Sequence, residues 1–239
     1  MKTGWLLTSL VLVFSAASAQ DEGLPSRADI AASLNGVKES DVKDSALEGF
    51  YEVAVGSTVG YVSTDGRYLI EGELYDLQSR ENLTEQSRAR SRVALLAGVD
   101  KSQMIVFSPK DRPVEHTITV FTDVDCGYCR QFHREIDKVT ALGIEVHYLF
   151  YPRTGPNTDS WSKAEKVWCA SDRNAALTHA KLGGSIPDAT CDNPVAADYE
   201  LGHEVGVTGT PSIYSASGVH IGGYLPPQEL LTTLTDLGD

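Results

Sequence analysis

His116-Thr117-Ile118-Thr119-Val120-Phe121 runs through Thr122-Asp123-Val124-Asp125 into Cys126-Gly127-Tyr128-Cys129, and the order of these pieces decides the fold. The first piece is rich in β-branched residues and alternates in polarity, as a strand does. From the second cysteine a helix-forming run extends to Gly143, a natural left-handed stop. A cysteine in the first turn of a helix faces unpaired backbone N–H groups and the positive end of the macrodipole. Both favour thiolate over thiol, and the thiolate is the nucleophile of disulfide exchange. Two intervening residues place the second cysteine one turn below the first, within reach of ring closure. The pair reads as a redox pair. A zinc half-site and a static disulfide share this spacing and stay open on the residues alone. Zinc would need two more ligands, and Cys169 and Cys191 form no Cys-x-x-Cys of their own.

The compartment supports redox chemistry. Lys2 precedes an apolar stretch from Trp5 to Phe14, then Ser15-Ala16-Ala17-Ser18-Ala19, the pattern of a secretory signal peptide cut after Ala19. The apolar stretch is shorter than the ~20 residues a bilayer requires, and no later segment is apolar enough, so no membrane insertion is expected. Export to a bacterial periplasm is the expectation. Four cysteines, an even number, can then form two disulfides. The formal net charge of -13 argues against nucleic acid or anionic membrane surfaces as partners.

About 220 residues remain after residues 1–19, enough for one large domain or two modest ones. Residues 20–80 predict a small α+β unit. Pro25 to Asn35 suits a short amphipathic helix capped by Ser26, with Ile30 and Leu34 on one face and Gly36 beyond its end. Phe50 to Val55 and Thr58 to Val62 read as strands, and Asp65-Gly66 as a hairpin turn before Tyr68-Leu69-Ile70. So small a module buries little of its surface, so a sheet edge or face should pair with another subunit. Residues 81–102 carry a linker helix, with Thr84 as cap, Gly98 as stop and a polar first half that suggests bridging through solvent. Residues 103–239 predict strand, strand, helix and strand, then a helical insertion at about 152–206, two strands and a C-terminal helix after Pro226-Pro227. That order gives a mixed α/β sheet covered on both faces.

Gly209-Thr210-Pro211 precedes a strand in the second half, where proline is sterically acceptable. This run belongs with Phe121 to Cys129, Tyr151-Pro152-Arg153, Trp168-Cys169-Ala170, Gly72 to Leu77 and Gly223-Tyr224-Leu225-Pro226-Pro227. Together they closely resemble the DsbC family of periplasmic protein-disulfide isomerases, in the thioredoxin superfamily. The resemblance covers essentially the whole mature chain. It implies a V-shaped homodimer joined through cystatin-like N-terminal domains, with linker helices leading to thioredoxin-fold domains whose active sites face a cleft for misfolded client proteins. By the same resemblance Cys126 attacks, Cys129 resolves, and Gly127 and Tyr128 tune redox poise. Thr210 and a cis Pro211 lie against the pair and offer backbone groups to a substrate strand, and Cys169 and Cys191 form a structural disulfide. The implied working group is the Cys126–Cys129 disulfide itself, with no cofactor and no metal, and the implied electron donor is a membrane reductant of DsbD type. A DsbA-type thiol oxidase and a holdase chaperone with incidental cysteines are the rival readings.

Asp125 departs from the family, which usually carries an uncharged residue before the first cysteine. A carboxylate facing the sulfur would make Cys126 less acidic, whereas one pointing to solvent would have slight effect, and the sequence leaves both orientations open. Asp123 and Arg153 read as structural. His116, His133, His147, His179, His203 and His220 show no metal spacing and read as surface or satisfied core histidines.

Overall fold

The structure, a computed structural model, describes residues 24–239. The signal-peptide reading and its cut after Ala19 lie outside the described residues.

The N-terminal unit opens with α1 (Arg27–Ser33), held by a capping box in which the Ser26 side chain accepts from the Asp29 amide and Asp29 bonds back to Ser26. Four antiparallel strands follow in sequence order: β1 (Val42–Asp44), β2 (Phe50–Val55), β3 (Thr58–Ser63) and β4 (Leu69–Glu71). Asp65-Gly66 turns β3 into β4, with Gly66 at a φ of +71°, where glycine avoids the steric penalty of a side chain. Ile30, Ala31, Val42, Val53 and Val62 form the small core of this unit. All three residues of β4 are exposed, including Leu69 and Ile70.

Next comes α2 (Leu83–Ala97), which differs from the expected solvent-bridging linker. Its cap is Asn82, whose side chain accepts from the Glu85 amide, while Thr84 is buried inside the first turn. The Thr84 hydroxyl lies 2.6 Å from the Tyr61 hydroxyl and accepts from the Leu74 amide at 2.8 Å. Ser87 donates to Glu52 on β2. Arg92, 5% exposed, donates to the carbonyls of Val205 and Gly218 at 3.1 and 3.3 Å and pairs with Glu85. The polarity of this helix thus serves buried hydrogen bonds, which a hydropathy pattern does not distinguish from exposure. Gly98 ends the helix as expected, but in a right-handed conformation.

The larger sheet has the order β5 (Ile105–Phe107), β7 (Ile144–Phe150), β6 (His116–Thr122), β8 (Ser212–Ser215), β9 (His220–Gly222). β6 and β7 are parallel, joined through α3 (Gly127–Arg134) and α4 (Ile136–Ala141), and the other pairings are antiparallel. The helical run after Cys126 is broken at Glu135, whose φ of −105° and ψ of 12° leave the helical region. Between β7 and β8 lie α5 (Asp159–Trp168), α6 (Arg173–Lys181) and α7 (Val195–Val205), and α8 (Pro227–Leu237) closes the chain. Strand alternation divides the core. Ile118, Val120, Val146 and Ile213 enter one cluster with Phe132, Val139, Leu177 and Leu230. Phe121, Leu149 and Tyr214 enter the other, joined by Val205 of α7 and by Leu95 and Leu96 at the end of α2. The helix between the two units is therefore part of both. The units also touch directly, where the Ser57 amide donates to the Glu204 carbonyl at 2.8 Å.

Candidate active site

β6 ends at Thr122, and the loop Asp123-Val124-Asp125 turns the chain into α3. Asp123, 1% exposed, holds this loop: its carboxylate accepts from the Asp125 amide at 2.8 Å, from the amide and Nε of Arg153 at 3.0 Å each, and from the Ser160 hydroxyl. Burial alone would raise the Asp123 carboxyl, but these hydrogen bonds outweigh it and keep the group below the usual carboxylate range.

α3 begins two residues earlier than the sequence pattern suggests, so Cys126 is the N-cap and Cys129 lies in the first turn. The first cysteine is thus the one that meets the free N–H groups of the helix end. Both cysteines are buried free thiols. The Cys126 thiol is lowered to about 5, chiefly by a hydrogen bond from Cys129, with further help from Thr210, the Cys129 amide and the charge of Arg153, against the effect of burial. Cys129 moves the other way: burial, then its hydrogen bond to Cys126, push it well above an ordinary thiol. One sulfur is set to be anionic at neutral pH and the other to remain protonated beside it.

The Thr210–Pro211 peptide is cis, and the Thr210 carbonyl lies 3.1 Å from the Cys126 sulfur. The Thr210 hydroxyl is buried with no other hydrogen-bond partner, which leaves the Cys126 sulfur as the group it favours. Open space surrounds Gly127, and Tyr128 projects with 65% exposure, so the dipeptide presents a bare backbone and an aromatic ring at the surface. Cys169, the C-cap of α5, is bonded to Cys191 just before α7.

Asp125 does not face the sulfur. Its carboxylate is gripped by Arg130 at 2.9 Å and by Lys163 at 2.8 Å, so of the two orientations the sequence leaves open it does not take the one against the Cys126 thiolate. His133 is a satisfied core histidine, bonded to the Tyr148 and Thr178 hydroxyls and lowered to about 4 by burial and then by the charge of Lys181. Among the described residues no cluster of His, Cys, Asp or Glu could hold a metal ion. Two residues at the site escape a motif search, Ser160 and Lys181. A signal for Lys181 exists in the periodicity: it follows the buried Leu177 by four and Ala180 by one, on the apolar stripe of its helix.

Comparison with known proteins agrees with this geometry. Residues 101–238 match the thioredoxin-like domain family, and residues 15–85 match the N-terminal domain of disulfide bond isomerase proteins. The chain is 38% identical over 232 residues to the thiol:disulfide interchange protein DsbC of Dickeya dadantii, with 94% of each chain covered. It is 34% identical over 232 residues to DsbC of Escherichia coli, covering 96% of this chain and 94% of that one. Among solved structures, a linker-deletion mutant of ScsC from Proteus mirabilis shares the fold with a TM-score of 0.50 at 17% identity, over 64% of this chain and 84% of that one.

Proposed function

The chain belongs to the DsbC family of thiol:disulfide interchange proteins, and on that footing we propose that it rearranges wrong disulfides in exported proteins through a reduced Cys126-Gly127-Tyr128-Cys129 site. The observation that carries the reading is the opposed acidity of the two sulfurs, one anionic at a helix cap and one held protonated beneath it. Cys126 attacks a client disulfide and forms a mixed disulfide, and the departing client sulfur takes the electron pair. A client thiolate then attacks that bond and leaves with a new pairing, returning Cys126 to its thiolate. If no client thiol arrives, Cys129 displaces the client, and the protein leaves oxidised as Cys126–Cys129. Thr210 and Pro211 offer backbone groups to an extended client segment, and the Thr210 hydroxyl favours the Cys126 thiolate.

The protein works in the periplasm as a homodimer joined through the N-terminal sheet, after its leader is cut behind Ala19. The exposed apolar β4 favours that junction, because a bare edge is otherwise an aggregation hazard. In an oxidising compartment the dithiol needs a dedicated reductant, a membrane protein of DsbD type. The N-terminal unit disfavours a DsbA-type oxidase, which needs no such module.

Refolding of a scrambled multi-disulfide protein with a catalytic amount of reduced protein tests the proposal. Cys126→Ser should abolish isomerisation, since an alcohol does not supply the thiolate. Cys129→Ser should retain part of it and accumulate mixed disulfides. Full activity of Cys126→Ser would sink the assignment. A Cys126→Ala, Cys129→Ala protein that prevents client aggregation and yet restores native disulfides would instead favour the holdase reading.

A further inference from the structure

Lys181 ends α6 in an unusual place for an ammonium. It is 1% exposed, and its Nζ donates to the Thr122 hydroxyl at 2.6 Å and to the Asp123 carbonyl at 2.9 Å. A buried cation is costly unless it is hydrogen-bonded and opposed by negative charge. The carboxylate of Asp123 is committed to Ser160, Arg153 and the Asp125 amide, and Lys181 bonds only to its main chain. Thr122 and Asp123, the two residues that hold the ammonium, are also the ones whose hydroxyl and amide favour the thiolate form of Cys129. One hydroxyl thus accepts from the ammonium and bears on the acidity of the resolving thiol.

The groups around the ammonium leave Cys129 as the partner whose charge changes. The loop after β6 contributes Asp123, the N-cap of α3 contributes Cys126, and α3 contributes Arg130 and His133. β7 contributes Tyr148, which burial keeps neutral, and burial likewise keeps His133 neutral. While Cys126 is a thiolate, it holds the negative charge and Cys129 is its proton donor. Once Cys126 is bonded to a client, that charge is gone. The field of the ammonium then falls on Cys129, at the moment when Cys129 has to ionise.

We propose that Lys181 is the positioning residue of the resolving step, the buried counter-charge that, through the Thr122 hydroxyl, stabilises the Cys129 thiolate as it attacks the mixed disulfide. The inference rests on the assignment of Cys126 as attacking and Cys129 as resolving thiol. In the step it assists, Cys129 loses its proton and its sulfur forms a bond to the Cys126 sulfur. The bond between Cys126 and the client breaks, and the client sulfur departs with the electron pair and is protonated. The enzyme dithiol is oxidised and the client disulfide reduced. Lys181 thereby sets how fast a stalled client is released.

Rapid mixing of the reduced protein with an aromatic disulfide that releases a coloured thiolate separates the two sulfurs. Cys126 releases the first equivalent at a rate proportional to reagent, and Cys129 releases the second by ring closure at a rate independent of it. In Lys181→Met, with an unchanged circular-dichroism spectrum, the first phase should stay within about twofold. The second should slow about tenfold or more at neutral pH, with its pH midpoint raised by about one unit or more. An unaltered second phase, or a slower one with an unmoved midpoint, overturns the proposal. A bimolecular phase that survives in Cys126→Ala overturns the assignment of roles and the proposal with it. An independent measurement isolates one sulfur: in Cys126→Ala, thiolate absorbance should place the Cys129 midpoint about one unit or more below its value in Cys126→Ala, Lys181→Gln. A Cys129 midpoint unmoved by that second substitution would equally refute the role of Lys181.

Discussion

The acidity of Cys126 depends on which charges reach it. Arg153, tied to Asp123, lies near enough to favour the thiolate, whereas the carboxylate of Asp125 is occupied by Arg130 and Lys163. Arg153→Ala should therefore raise the pH midpoint of Cys126 alkylation by roughly 0.5–1 unit, the small size reflecting a half-exposed guanidinium. Asp125→Thr should leave that midpoint nearly in place. Alkylation rates across a pH series decide both, and the two outcomes exchanged would show that Asp125 rather than Arg153 governs the sulfur. The Cys126–Cys129 spacing pointed to a pair without choosing among redox, zinc and static-disulfide chemistry, and Thr210 and Pro211 read as a mere turn until the family resemblance set them beside it. The destination of the Asp125 side chain was not legible, since its partners lie on two different helices, α3 and α5. Lys181 was hidden for a similar reason: its partner residues Thr122 and Asp123 are distant in the chain.

Strands showed themselves more faithfully than helices. β7 and β8 carry the β-branched and aromatic residues that a strand buried on both faces favours. The helix after Cys126 breaks at Glu135 without a proline or glycine to announce it. α2 misled more, because a polar residue bonded to a distant carbonyl looks like one bonded to water. α7 conceals a similar case in Asp198, whose carboxylate accepts from the Phe150 amide at 2.9 Å and is raised to about 7 by burial. Its folded value exceeds the ordinary ~3.9, so the folded state holds an extra proton between about pH 4 and about pH 7, and stability falls as pH rises through that window. His133 acts in the opposite sense: its folded value lies below the ordinary ~6.5, so its contribution is lost as pH falls toward about 4. Asp198→Asn keeps an acceptor for Phe150 and removes one titration. It should be more stable than the parent near pH 8, by at most about 4 kcal/mol, with the gain shrinking toward pH 4. Urea unfolding at several pH values measures this, and a difference that does not vary with pH would contradict it.

At the scale of the molecule, two units meet through α2, through Ser57 and Glu204, and through Arg92. The thioredoxin-like unit nonetheless has its own core on both faces of its sheet. Removing residues 20–80 should leave a folded monomer that exchanges thiols but isomerises poorly. Light scattering and the scrambled-substrate assay test the two halves of that statement, and a truncated protein that stays dimeric or isomerises at the full rate would contradict it. The bond between Cys169 and Cys191 has a consequence for how the protein itself comes into being. Four cysteines pair in three ways, and only one pairing joins these two while freeing the redox pair to work. A newly exported copy is thus a patient of the trade it will practise, and each finished copy can treat the next. Maturation of the population should be autocatalytic: activity recovered from a denatured, scrambled preparation should rise after a lag, and a trace of native protein should erase the lag.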